Sequence, residues 1–137
     1  MKSQIAFSLI VCSMMVSCDK SQPDVVCTTE FRMLTVSIKD TASNPVLLSN
    51  YFVKKTSSGE IIDFSKEDPY QDSINRIQGI YIIFTDGKME MTSKNGTGFE
   101  FHGILGTTEI INEQYLFGHD ECHVTLLSGK PEIIISK

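Results

Sequence analysis

From Glu30 onward, apolar residues recur at every second position and are interrupted at short intervals by turn-forming clusters. This period of two predicts strands, because successive side chains of a strand point to opposite faces of a sheet. In FRMLTVSIK, Leu34, Val36 and Ile38 share one face and Thr35, Ser37 and Lys39 the other. Asp40 to Pro45 reads as a turn, and Val46 to Thr56 as a second extended run that Ser57-Ser58-Gly59 turns back toward Ile61 to Phe64. Ile80 to Phe84 is continuously apolar, as a strand buried on both faces requires. Asp86-Gly87 predicts a hairpin returning through Met89 and Met91, because the Asp-Gly pair accepts positive φ at low cost. Asn95-Gly96 marks another hairpin rather than a glycosylation site. Phe99 to Ile104, Glu109 to Phe117, Cys122 to Leu127 and Glu132 to Ile135 complete the strands. Between them, Ser65 to Arg76 (SKEDPYQDSINR) is polar, holds Pro69, and reads as the longest irregular segment. No stretch shows a sustained helical period. The expectation is therefore an all-β fold, an antiparallel sandwich of about seven or eight strands.

The N-terminus follows a different pattern. Lys2 precedes an apolar run from Ile5 to Val16 broken only by serines, shorter than the roughly 20 residues needed to span a bilayer. It reads as the apolar region of a secretory signal peptide. The run ends in Met15-Val16-Ser17-Cys18, which resembles a bacterial lipobox. That resemblance implies cleavage after residue 17 and lipid on Cys18; the polar composition after it reads as a lipidated tether over 18–28, and the strand pattern as a sandwich domain over 29–137. It also implies a location in the bacterial cell envelope, facing the periplasm or the exterior, with the lipid on Cys18 as the membrane contact. Of four cysteines, Cys12 would leave with the signal and Cys18 would carry lipid. Cys27 and Cys122 then remain as a single pair, in a compartment where disulfides persist.

A second resemblance rests on the two ends of the domain. Val36-Ser37-Ile38-Lys39-Asp40, four further residues, then Pro45-Val46, together with Asp120-Glu121-Cys122-His123-Val124, is similar to transthyretin-like and carboxypeptidase-regulatory-like envelope domains. These are immunoglobulin-like sandwiches, so the resemblance implies that fold. Asn44 stands where those domains have glycine before Pro45-Val46, and asparagine also tolerates a left-handed backbone.

Candidate chemistry concentrates in Gly118 to Val124 (GHDECHV). His119, Cys122 and His123 are suitable zinc or copper ligands, and envelope metal binding is the alternative function. In an extended strand, however, the two histidines lie roughly 13 Å apart at about 3.3 Å per residue, and chelation would need a free Cys122 thiolate. The disulfide reading needs neither a special turn nor a thiolate, and leaves both histidines as surface or edge residues. Cys122 beside His123 does not make a nucleophile–base pair, since catalytic partners meet across a fold. His102 alternates onto an outward face and is expected at solvent. Tyr70, an aromatic within the polar Ser65–Arg76 tract, is the candidate contact of a binding loop, with packing back on the sheet as its alternative.

Charge and motifs narrow the rest. The chain has 12 basic and 17 acidic residues, a net −5 at pH 7, with the basic residues scattered. No nucleic-acid footprint results. Nucleophile-elbow, zincin, phosphate-loop and dinucleotide signatures do not occur. The expectation is a non-enzymatic accessory or binding module without a cofactor, partnered by an envelope protein or glycan.

Overall fold

The computed structural model describes residues 25–136. The expected signal peptide (1–17), the expected lipid site at Cys18 and the first part of the expected tether lie outside the described residues. Eight strands form two sheets: β1 (Met33–Asp40), β2 (Asn50–Lys55), β3 (Ile61–Ile62), β4 (Ile80–Thr85), β5 (Thr97–Leu105), β6 (Thr108–His119), β7 (Val124–Ser128) and β8 (Glu132–Ile135). A three-stranded sheet runs β4-β1-β8 and a five-stranded sheet β3-β2-β5-β6-β7. Pairing is antiparallel except between β1 and β8, where Ser37 to Asp40 run parallel to Glu132 to Ile135. The wholly antiparallel expectation fails at this one pair. β7 lies in the other sheet, so the chain reaches β8 by crossing over instead of by a hairpin.

Alternation in the strands puts the expected side chains inside. Val36, Ile38, Val53, Phe99, Phe101 and Phe117 are fully buried, with Tyr51, Tyr81, Ile83 and Phe84. Rings of the two sheets meet directly: Phe84 of β4 stacks on Phe117 of β6 with centroids 4.8 Å apart and lies 4.9 Å from Phe99 of β5. Each such ring contributes on the order of 1.5–3 kcal/mol by leaving water. The Tyr81 hydroxyl donates to the Val46 carbonyl at 2.7 Å and accepts from the Leu48 amide at 2.8 Å, pinning the crossing segment before β2.

Two connections differ from their expected form. Asp86 to Met91 is not a hairpin with a returning strand but a 3-10 segment. β4 and β5 belong to different sheets, so the link between them must cross the sandwich. Asp86 is instead held by its carboxylate, which accepts from the amides of Arg32 (2.7 Å) and Val124 (2.8 Å). In the Asp40–Pro45 turn the left-handed residue is Ser43 (φ 65°), while Asn44 donates its amide to the Asp40 carboxylate. Asp40 thus organises the turn, and Asn44 has no need of a glycine-like backbone.

Candidate functional site

The Ser65–Arg76 tract is not irregular. A 3-10 turn (Phe64–Lys66) leads into α1 (Pro69–Ile77). Asp68 caps the helix by accepting from the Gln71 amide at 3.0 Å, and Pro69 at the first turn gives up only an N–H that the helix would leave unbonded. Proline here starts the helix. Gly79 (φ 68°) follows its end, where any Cβ would lie 2.6 Å from the Ile38 carbonyl oxygen, so only glycine turns the chain into β4 at this point.

The helix is turned against the usual rule that the apolar stripe faces the core. Its inward residue is Asp72, 5% exposed. The Asp72 carboxylate accepts the buried Tyr51 hydroxyl at 2.6 Å and lies 3.5 Å from the Arg76 guanidinium. Arg76 also donates to the Leu48 carbonyl, tying α1 to the segment before β2. Burial and the neighbouring Asp72 carboxylate push the Tyr51 hydroxyl far above its ordinary pKa, which keeps it a neutral donor. The apolar residues point out: Tyr70 is 77% exposed, Ile74 37% and Ile77 73%, and Leu47 on the adjoining segment is 60% exposed. Positions 70, 74 and 77 fall on one helical face. Beside this stripe runs a groove of about 690 Å³ lined by Leu47, Leu48, Ser49, Pro69, Asp72 and Ile77 among others. The helix thus turns a polar anchor inward and an apolar ridge beside a groove outward.

Tyr70 therefore lies on a helix, not in a loop, and it projects from the domain and does not pack back on the sheet. Sequence reasoning passed over Leu47, Asp72, Ile74, Arg76 and Ile77. The spacing of Tyr70, Ile74 and Ile77 was the available signal, obscured because the residues between them are polar and Pro69 reads as a breaker.

The other predicted residues assemble elsewhere. Cys27 and Cys122 are joined, with their sulfurs 2.00 Å apart. Their neighbours add to the clasp: His123 sits between the Thr28 hydroxyl (3.0 Å from Nε2) and the Asp86 carboxylate (2.7 Å from Nδ1). GHDECHV does not run as a strand. β6 ends at His119, Asp120 to His123 turn with the Asp120 amide donating to the His123 carbonyl, and β7 begins at Val124. The Asp120 carboxylate accepts from the amides of Cys122 and His123, both at 2.7 Å, which holds its pKa below the ordinary range. His123 is thus buried, not a surface or edge residue. His119 bonds Thr92 instead of turning toward Cys122, and no group of three metal-ligating side chains converges among the described residues. Thr28, His123 and Asp86 form a hydroxyl–imidazole–carboxylate chain, but neither cleft near α1 opens on it.

His102 points outward as its alternation requires, yet it is only 5% exposed. Phe52 stacks on its ring with centroids 4.6 Å apart, and Glu109 and Glu100 cover its two nitrogens at 2.9 and 3.3 Å. Cross-strand neighbours shield it, an effect that single-strand alternation does not show. Hydrogen bonds from Lys54 and then Gln114 bring the Glu100 carboxyl down to about 2.

The fold and this surface define a two-sheet β protein with an outward apolar helix. Comparison with protein-family models, with curated proteins and with solved structures finds no match to the chain. Among the described residues no helix is long and apolar enough to cross a membrane.

Proposed function

We propose that the chain is a lipid-anchored, immunoglobulin-like or transthyretin-like module of the bacterial cell envelope. It acts as a non-enzymatic binding partner and docks an envelope protein on the outward face of α1. The observation that carries this reading is the inversion of α1, which spends its polar residues on the fold and leaves Tyr70, Ile74 and Ile77 at the surface. Covering Ile77, 73% exposed, contributes on the order of 1–2 kcal/mol to association, and the less exposed Ile74 contributes less. With a net charge of −5 on the chain, the partner surface is apolar and not acidic. The disulfide supports the envelope address, since such bonds persist in oxidising compartments.

Two measurements test the reading. A photo-crosslinker at Ile77 in native envelopes is expected to give one discrete heterologous adduct, abolished by Ile74→Asp. A dispersed smear, a self-adduct or an adduct unaffected by that change overturns the docking surface. Labelling with a clickable fatty acid tests the anchor, which stands if label is incorporated and is lost in Cys18→Ala.

A further inference from the structure

β8 closes one end of the three-stranded sheet and is paired on one side, with β1. The Ser37 amide donates to the Pro131 carbonyl at 2.9 Å, which sets the phase of that parallel ladder. Along a strand the N–H and C=O of one residue point to one side and those of the next residue to the other. Ile133 and Ile135 therefore bond β1, and the N–H and C=O groups of Glu132 and Ile134 line the open edge. β8 carries none of the devices that usually protect an edge: it has no proline, no bulge and no inward-facing charge. Its one charged residue, Glu132, is exposed and neutralised by Lys39 at 2.5 Å. The other edges differ. α1 and the 3-10 segments lie against β4, β3 is two residues long, and in β7 the side chains of Asp86 and Arg32 bond both backbone groups of Val124. Beside β8 runs a cleft of about 520 Å³ lined by Leu105, Ile110, Ile134, Ile135 and Ser136, with Ile134 62% exposed.

We propose that a second copy of this chain occupies the edge, its β8 antiparallel to the first about a two-fold axis at Ile134. The occupant follows from the strand's own pattern. With Ile134 facing Ile134, open backbone groups meet open backbone groups at every pair. Glu132 falls opposite Ser136 of the second copy, so no like charges face, and the inward Ile133 falls opposite its Ile135. A shift of one residue would set open groups against groups already bonded to β1. The register centred on Ile133 would set Glu132 against the exposed Ile134. Pairing at Ile134 joins two three-stranded sheets into one continuous sheet and covers an exposed apolar side chain in each copy. α1 lies against β4, at the opposite edge of the sheet, so this contact and the docking face of α1 can each fail without the other.

The test is cysteine crosslinking of the full chain carrying Cys12→Ser and Cys18→Ser, which leaves the Cys27–Cys122 disulfide in place. Directly opposite residues of a hydrogen-bonded pair have Cα atoms about 5.5 Å apart, within the roughly 4.4–6.8 Å that a disulfide spans. Ile134→Cys is therefore expected to give a covalent dimer on mild oxidation, and Glu132→Cys mixed with Ser136→Cys to do the same. Either of those two alone lies about 13 Å from its own copy, at about 3.3 Å per residue, and is expected to give at least tenfold less. Ile134→Lys changes an exposed residue and is expected to convert the dimer seen by sedimentation to monomer with the near-ultraviolet circular dichroism unchanged. The crosslinking pattern decides the matter should Ile134→Lys not fold. A monomer at submillimolar concentration, equal crosslinking at the three positions, or a dimer that survives Ile134→Lys overturns the proposal. So does a crosslink in native envelopes from Ile134→Cys to a different protein and none to itself, which assigns the edge to a foreign strand.

Discussion

The disulfide offers the most quantitative perturbation of this fold. Cys27 and Cys122 are 95 positions apart, so their bond closes a loop holding β1 to β6 and all of α1. In the chain-entropy description a loop of about 100 residues restrains the unfolded chain by up to about 4.7 kcal/mol, and measured values are more often about 2–4. The native clasp is otherwise kept: Asp86 still receives the Arg32 and Val124 amides, and β1 stays in its ladder with β4. The loss should therefore come mostly through the unfolded state. Cys27→Ala combined with Cys122→Ala is expected to lower stability by roughly 3–4 kcal/mol. For a domain of about a hundred residues that corresponds to a melting temperature lower by roughly 12–20 °C. Urea unfolding followed by near-ultraviolet circular dichroism of the buried aromatic cluster measures it. The slope against urea should also rise, because the uncrosslinked chain exposes more surface. A loss under about 1 kcal/mol with an unchanged slope would refute the entropic reasoning, since that is no more than one ordinary hydrogen bond.

Further expectations concern the polar anchors. Burial raises the Asp86 carboxyl, but hydrogen bonds from Val124, Arg32 and His123 outweigh it and hold its pKa below the ordinary value. Its stabilisation is therefore complete above the unfolded value of about 3.9 and is lost as pH falls through the lower folded value. Asp86→Asn should cost about 1.5–3 kcal/mol at pH 7, and the difference from the parent should shrink toward pH 2 in a series of urea melts. Tyr51→Phe removes one donor from buried Asp72 and should lower stability by about 1–3 kcal/mol, whereas Asp72→Asn, which keeps an acceptor, should cost less in the same assay. Gly129→Ala would bring a Cβ to 2.3 Å from Tyr115 Cδ1 at φ 137° and should cost more than about 2 kcal/mol. Gly106→Ala, at φ 64° with open space around it, should cost only about 1 kcal/mol in calorimetry.

Legibility in the sequence divided along the range of the interactions involved. Strand alternation was readable because it repeats locally: it set Val36 and Ile38 on one face and Phe99 and Phe101 opposite His102, and these four lie in the core. The Cys27–Cys122 pairing was expected too, because the lipobox resemblance set Cys12 and Cys18 aside, and the two sulfurs are joined. The burial of His102 was not, because Phe52 and Glu109 reach it from neighbouring strands. Nor was the burial of His123, whose partners Asp86 and Thr28 stand far away in the chain.

Alone, the sequence determined a β-rich domain and several of its turns, because two-residue periodicity and turn chemistry are properties of neighbouring residues. Tertiary structure decided which sheet each strand joins, and so turned the expected hairpin at Asp86-Gly87 into a crossing between sheets. It also decided the orientation of α1. The spacing of Tyr70, Ile74 and Ile77 specifies an apolar face, but not whether that face points inward. Tyr51, on a strand elsewhere, supplies the hydroxyl that draws Asp72 into the protein and so turns the apolar face toward solvent.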